Sequence, residues 1–489
     1  MNLMEKNSPS SAPGQKHGFP RSRRIAARGP LSSHYQDPFM TPLRLIPLML
    51  EGFAILTMTG NALAEDWPQW LGPRRDGVWR ESGIVDRFPT NGLKGAWRTP
   101  VAGGYSAPAV AGGRVIITDR LATTNLVAPA GPLDRSKVPG RERVTCLQED
   151  TGKVLWTHDY DCPYDLAYPS GPRAMPQIDD DRVYTLGSDG HLLCLKLATG
   201  KVLWQHHFPS GYGIPTQLWG VASTPLIDSH RLICQVGGAG QSTVAFDKHT
   251  GRELWRSLDA KEPGYSSPIL IQSAGVPQLI VWDTAAISSL NPETGKTYWS
   301  EPFPTKLGHA IATPRFVDGR LFITSFFDGS LMLQLDPQRP AASQLWRRKG
   351  KNENRPDSLH GLMSTPFVVD GYIYGVCGHG ELRCLKADTG DQVWQTLATT
   401  TRDGKPTRWA TAFLTRHADR FFLWNDQGEL ILAKLTPAGF EELSRTQLLE
   451  PTSQAGNRAV VWSNPAFANG HVLLRNDREL IRVDLRRDR

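Results

Sequence analysis

The sequence is short of most things that announce a chemistry. Its 489 residues hold only six cysteines, with no Cys-x-x-Cys pair and no haem-attachment motif, so neither a redox couple nor an evident disulfide framework is present. There is no Gly-x-Ser-x-Gly elbow, no His-Glu-x-x-His pair and no kinase signature, and no complete phosphate loop. Gly295-Lys296-Thr297 has the tail of such a loop, but Leu290 stands where its first glycine belongs, and a strand-like Thr-Tyr-Trp follows instead of a helix. A clustered basic face is also missing. Residues 1–64 carry seven Lys/Arg against three Asp/Glu, leaving 48 basic and 45 acidic residues in the remainder, which argues against nucleic acid as a partner.

Long apolar runs are nearly absent too. The one candidate begins near Met40 and runs to about Thr59, interrupted by Pro47 and Glu51, which argues against a stable membrane span. With Arg44 before it and Ala62-Leu63-Ala64 after it, segment 40–64 reads as a signal peptide, and an uncleaved anchor is the alternative. No cysteine follows the cleavage site, so lipid attachment there is excluded. Residues 1–39 are rich in Ser, Pro, Gly and Arg and too poor in apolar residues to pack; they read as a disordered extension, with Met40 as an alternative start. The mature chain is therefore expected to be exported, periplasmic or extracellular, with one domain over 65–489.

What is abundant is repetition. Tryptophans recur at Trp97, Trp156, Trp204, Trp255, Trp299, Trp346 and Trp394, and one further step lands on Leu443. Each unit contains four short β-type runs separated by turn signals, as in AMPQID, RVYTLGS, HLLCLKL and KVLWQHHF. Four strands at a period in the forties is a propeller blade, so the expected fold is all-β: an eight-bladed β-propeller of four-stranded antiparallel blades. After the seventh complete set only three strands remain, VWSNPAF, HVLLRN and ELIRVDL. The fourth is expected from GLKGAWRTPV, so the last blade is closed by N- and C-terminal strands together.

The phrase CLQEDTGKVLW, repeated as CLKLATGKVLW and AFDKHTGRELW, is read as architecture: a small residue, a Thr-Gly turn and an outer tryptophan. Cys146, Cys194 and Cys384 share their slot with Ala245 and Ser289, which marks them as buried small residues, and Cys162, Cys234 and Cys377 are taken as buried thiols as well. Asp179-Asp180-Asp181 offers too few oxygens for calcium and coincides with the first turn of a blade, so it is expected to be a solvated turn.

These repeats, with WPQWLGPRRDG before the first strand, resemble the quinoprotein alcohol dehydrogenase-like propellers, and in particular their PQQ-like repeat proteins of planctomycete type. The resemblance covers about residues 66–489 and implies the fold. It also implies an alternative function, a dehydrogenase using pyrroloquinoline quinone with calcium. Dehydrogenases of that family typically show adjacent cysteines near the quinone, and this sequence has no Cys-Cys pair.

One rim of the propeller should carry the long links: 121–142, 159–173, 207–220, 347–361, 399–409 and 450–462. The innermost strands open with a small-residue–proline step, and three residues before it stand Tyr105, Arg173, Tyr265, Trp409 and Trp462, with Trp219, His309 and His360 slightly further back. These eight are the candidate ligand-binding residues, an aromatic, arginine and histidine ring around the axial funnel. No catalytic or metal-binding residue is assigned. The first functional reading is thus a non-enzymatic exported propeller that binds a protein partner or small ligand on its long-loop face. The quinone-dependent enzyme and an envelope-assembly scaffold are the alternatives, the first reading requiring no cofactor.

Overall fold

The computed structural model describes residues 64–123 and 133–487. The extension 1–39 and, apart from Ala64, the leader segment 40–64 lie outside the described residues.

Eight four-stranded antiparallel sheets follow one another along the chain. Blade 1 runs from its inner strand Ala109–Ala111 through Arg114–Ala122 and Gly140–Gln148 to the outer strand Val154–Asp161. Blade 2 comprises Gln177–Asp179, Arg182–Leu186, His191–Lys196 and Val202–His207, close to the four runs expected from sequence. Blades 3 to 7 start at Leu226, Ile269, Arg315, Phe367 and Ala412. Blade 8 is the joint: Ala466–Ala468, His471–Arg475 and Glu479–Asp484 receive Gly95–Pro100 antiparallel on the outside, with Trp97 opposite Arg482. That pairing closes the ring between chain segments some 380 positions apart and leaves no free edge between first and last blades.

The repeated phrase has one geometry throughout. The small residue faces the outer tryptophan across the strand pair: Cys146 opposite Trp156, Cys194 opposite Trp204, Ala245 opposite Trp255, Ser289 opposite Trp299 and Cys384 opposite Trp394. A β-bulge follows at once in each, which twists the outer strand and turns the indole toward the next blade. For Trp97, Trp156, Trp204, Trp255 and Trp346 the ring lies over the glycine of the neighbour's Thr-Gly turn, and the N–H donates to a carbonyl of that turn. Trp97 reaches Glu149, Trp156 reaches Leu197, Trp204 reaches Lys248 and Trp255 reaches Pro292, at 2.7–3.1 Å. All six cysteines are free and buried. Asp179-Asp180-Asp181 is the first turn of blade 2, with Asp180 at φ 53° and Asp179 paired to Lys248.

Residues 67–79 cross the end of the inner strands. Trp67 pairs with Val110 of blade 1, Arg75 donates to the carbonyls of Pro225 and Pro268, Trp70 donates to Thr313, and the Trp79 amide reaches Arg416. This segment therefore bridges blades 1, 3, 4, 5 and 7 across the axis. No helix among the described residues is long and apolar enough to cross a membrane.

The tryptophan–glycine contact gives a stability prediction. At Gly295, φ is +72° and a Cβ would stand 2.5 Å from the Trp255 ring, whereas Gly112, also at positive φ, has nothing within 4 Å. Gly295→Ala should lower stability by about 2–4 kcal/mol and Gly112→Ala by only about 1 kcal/mol, since the second carries backbone strain alone. Urea unfolding midpoints measure the difference, and equal losses would mean that the interblade contact contributes nothing.

Candidate functional site

A cavity of about 340 Å³ opens on the axis at the long-loop rim. Seven of the eight candidate residues line it: Tyr105, Arg173, Trp219, Tyr265, His309, Trp409 and Trp462. They arrive from the blade-to-blade links because each stands just before an inner strand, where the chain turns down toward the axis. Their rings touch in series. Tyr105 and Tyr168 lie 6.4 and 5.6 Å from Trp462, and Trp219 lies 5.8 Å from Tyr265 and 4.9 Å from His309.

His360 is the exception. It is fully buried, with Nδ1 2.8 Å from the Phe326 carbonyl, Nε2 2.7 Å from the Lys349 carbonyl and its amide donating to Cys377 Sγ. One ring nitrogen is held by a strand-to-strand link of blade 5 and the other by the connection between blades 5 and 6, so this side chain braces the wall from outside and does not line the cavity.

Arg173 binds the wall with four donor contacts. Its Nη1 donates to the Gly171 carbonyl and Ser188 Oγ, and its Nη2 donates to the carbonyls of Ala167 and Tyr168, at 2.6–3.0 Å. Neutral acceptors satisfy its hydrogens without cancelling its charge. The guanidinium also stands 5.1 Å from the centre of the Tyr105 ring. A second guanidinium, Arg408, is exposed and lies 5.3 Å over Trp409 and 5.8 Å over Phe326. Neither arginine has a carboxylate partner among the described residues. The cavity is therefore apolar, aromatic and positive.

Burial governs the titrating groups here. It pushes the Tyr105 hydroxyl up to about 12 and raises that of Tyr265 as well. It pulls His309 down to about 4, so this imidazole is neutral at pH 7, donating from Nδ1 to the Lys306 carbonyl at 3.0 Å. Neutral His309 stacks among Trp219, Phe327 and Phe326 as one more planar wall element. Three non-glycine residues of the lining hold left-handed backbone: Tyr168 at φ 52°, Leu307 at 55° and Trp409 at 65°.

Several lining residues were not legible as such. Trp70 comes from the segment crossing the axis, Tyr168 and Leu307 from inside long links, and Phe327 from a strand-to-strand link in blade 5. Arg408 alone had a local signal, its place beside Trp409.

A calcium-bound quinone does not fit this lining. No aspartate or glutamate lines the cavity among the described residues, while calcium takes six to eight oxygens with carboxylates prominent among them. Two guanidinium groups without carboxylate partners among the described residues would also repel the calcium ion.

The family model described as "Outer membrane protein assembly factor BamB" matches residues 94–241, 140–278 and 240–487. A comparison with curated proteins finds no match. Among solved structures, BamB from Moraxella catarrhalis aligns at 13% identity and TM-score 0.51, covering 80% of this chain and 99% of that one. Quinohemoprotein alcohol dehydrogenase from Comamonas testosteroni aligns at 13% identity and TM-score 0.55, covering 88% and 82%. A second such dehydrogenase, ADHIIG from Pseudomonas putida HK5, gives 13% and 0.55 over 87% and 81%. At these identities the structural likeness is one of fold.

The depressed histidine predicts a pH dependence. His309 takes a proton near pH 6.5 when unfolded but only near 4 when folded, so its contribution is complete above 6.5 and is lost as pH falls toward 4. His309→Gln should flatten the decline in unfolding free energy between pH 7 and 4 by up to roughly 3 kcal/mol. Paired urea titrations at the two pH values measure this, and an unchanged slope would mean that His309 titrates normally.

Proposed function

Because the chain belongs to the family described as outer membrane protein assembly factor BamB, we propose that it is a non-enzymatic, exported propeller whose axial cavity holds an apolar, aromatic segment bearing a negative charge, presented by a partner polypeptide. The observation that carries this reading is the composition of the cavity among the described residues: aromatic walls, two guanidinium groups without carboxylate partners, and no acidic residue in the lining. An anion entering there meets Arg173 already oriented by the carbonyls of its own loop, so little ordering remains to be done on binding. Aromatic walls supply contact area to a flat or apolar group at low entropic cost. A polypeptide ligand is favoured over a free small molecule because the cavity opens among long links, a surface broad enough to engage a chain beyond the buried group. Export rests on the leader-like segment 40–64.

The quinone-dependent enzyme is the less favoured reading, since among the described residues the cavity offers no acidic ligands for its calcium.

The purified propeller is titrated with 1-anilinonaphthalene-8-sulfonate, and the probe is then displaced by phenylacetate, by acetyl-Leu-Phe-Glu-amide or by its Gln counterpart. Saturable binding is expected, with the Glu peptide displacing the probe better than either the Gln peptide or phenylacetate. Arg408→Gln should weaken the charged ligands roughly tenfold, the loss of one charge-assisted contact, while leaving the unfolding midpoint unchanged because Arg408 is exposed and forms no ion pair. Displacement by phenylacetate alone would assign a small-molecule ligand. Absence of saturable binding, or stoichiometric uptake of the quinone with calcium, would overturn the proposal.

A further inference from the structure

Outside the cavity, Cys162, Asp189 and His191 gather a thiol, a carboxylate and an imidazole whose ligand atoms all lie within 4.8 Å of one another. They converge from two blades. Cys162 follows the outer strand of blade 1, Asp189 occupies the turn after Arg182–Leu186 in blade 2, and His191 opens the next strand. Cys162 is fully buried, and its Sγ is 3.9 Å from His191 Nδ1. Asp189 is held from two sides: the Thr216 hydroxyl donates to Oδ1, and His207 Nε2 stands 3.4 Å from Oδ2. The His207 ring is stacked on His191, with centroids 4.1 Å apart.

We propose that Cys162 Sγ, His191 Nδ1 and the Asp189 carboxylate bind one zinc-type divalent ion, with His207 orienting Asp189 from behind and solvent completing the coordination. A thiolate with an imidazole and a carboxylate is a borderline-soft donor set that suits zinc and disfavours calcium or magnesium. Zinc–sulfur and zinc–nitrogen bonds of about 2.3 and 2.0 Å give a tetrahedral edge of about 3.5 Å, only a few tenths shorter than the distance seen. The Asp189 carboxylate lies within 4.8 Å of both other ligand atoms, and its side chain is 23% exposed.

The charges balance once a divalent ion binds. A divalent ion displaces the thiol proton to solvent, and thiolate plus carboxylate then cancel its two positive charges. The ion would tie the link after blade 1 to a blade 2 turn in which Ser188, next to Asp189, accepts from Arg173 of the cavity wall. The site shares no ligand with the cavity, so the two proposals stand or fall separately.

The full chain is stripped with chelator and titrated with cobalt(II). One equivalent should bind, producing a thiolate-to-cobalt charge-transfer band in the near ultraviolet that zinc abolishes by competition. Cys162→Ser should remove the band, and Cys384→Ser, in blade 6, should keep it. Asp189→Asn, at a partly exposed side chain with little consequence for folding, should weaken cobalt binding at least tenfold; His207→Ala should weaken it roughly tenfold, as loss of an outer partner does. No band at one equivalent in the wild type, or a band that survives Cys162→Ser or the affinity unchanged in Asp189→Asn, would overturn the assignment.

Discussion

The ring depends above all on one contact, repeated at five blade junctions: an indole from one outer strand laid on the turn glycine of the next blade. These glycines, Gly152, Gly200, Gly251, Gly295 and Gly390, sit so close to a tryptophan that a Cβ would stand 2.5–3.0 Å from its ring. The glycine has two duties at once, a left-handed turn and a floor for the neighbour's indole. Each indole hydrogen bond adds about 1 kcal/mol on top of the buried ring area, and the contacts act between blades that share no strand pairing. The exception supports the rule. Blade 5 replaces its Thr-Gly turn with Asp336-Pro337-Gln338-Arg339-Pro340, and the approaching Trp299 finds no turn carbonyl; its N–H donates instead to Gln278 of its own blade. The same blade places Met332, not a small residue, opposite its tryptophan.

Once the blades are fixed, the axis must be filled, and the chain fills it with buried arginine. Arg315 is buried and Arg75 half-buried, and desolvation lowers them to about 10 and 9. Their acceptors are carbonyls at the inner-strand entries: Pro225 and Pro268 for Arg75, Pro366 for Arg315. At Pro225, Pro268 and Pro366 the small-residue–proline step thus serves the axis twice. Proline removes an N–H that would be hard to satisfy there, while its carbonyl remains available to a guanidinium. Residues 67–79 consequently floor the funnel, leaving a blind well with Trp70 in its lining.

The blade count, the closing strand and the role of the Thr-Gly turn were legible because they are local patterns repeated many times, and repetition separates architecture from chemistry. Repetition also points to the positions before the inner strands, and so it gathered seven cavity residues at once. It could not say which way a side chain turns. His360 has the same kind of sequence position as His309, yet two carbonyls draw its ring into the wall. Nor could it place residues brought in by irregular links. Tyr168 and Leu307 carry no periodic signal, and Cys162 reads as one more buried thiol until the fold sets it beside an aspartate and a histidine 27 and 29 residues further along the chain. What spacing encodes was readable; what long links bring together was not.

The cavity has a further property that distinguishes a binding well from packed filler. Tyr168, Leu307 and Trp409 each hold a conformation that L-residues adopt at a cost of about 1–2 kcal/mol, and none is the glycine that would relieve it. Elsewhere the chain supplies glycine or a short Asx residue at most such positions, as at Gly295, Asp318, Asp370 and Asn469. A wall whose only task was to fill space could take the relaxed residue. Here the strain keeps two aromatic rings and a leucine aimed at the same volume, beside two guanidinium charges without carboxylate partners. Both features oppose folding; the proposed apolar anion would partner the charges and meet aromatic surface already set in place by the strain. Their coincidence at one end of the axis is the physical reason to seek function on the long-loop face.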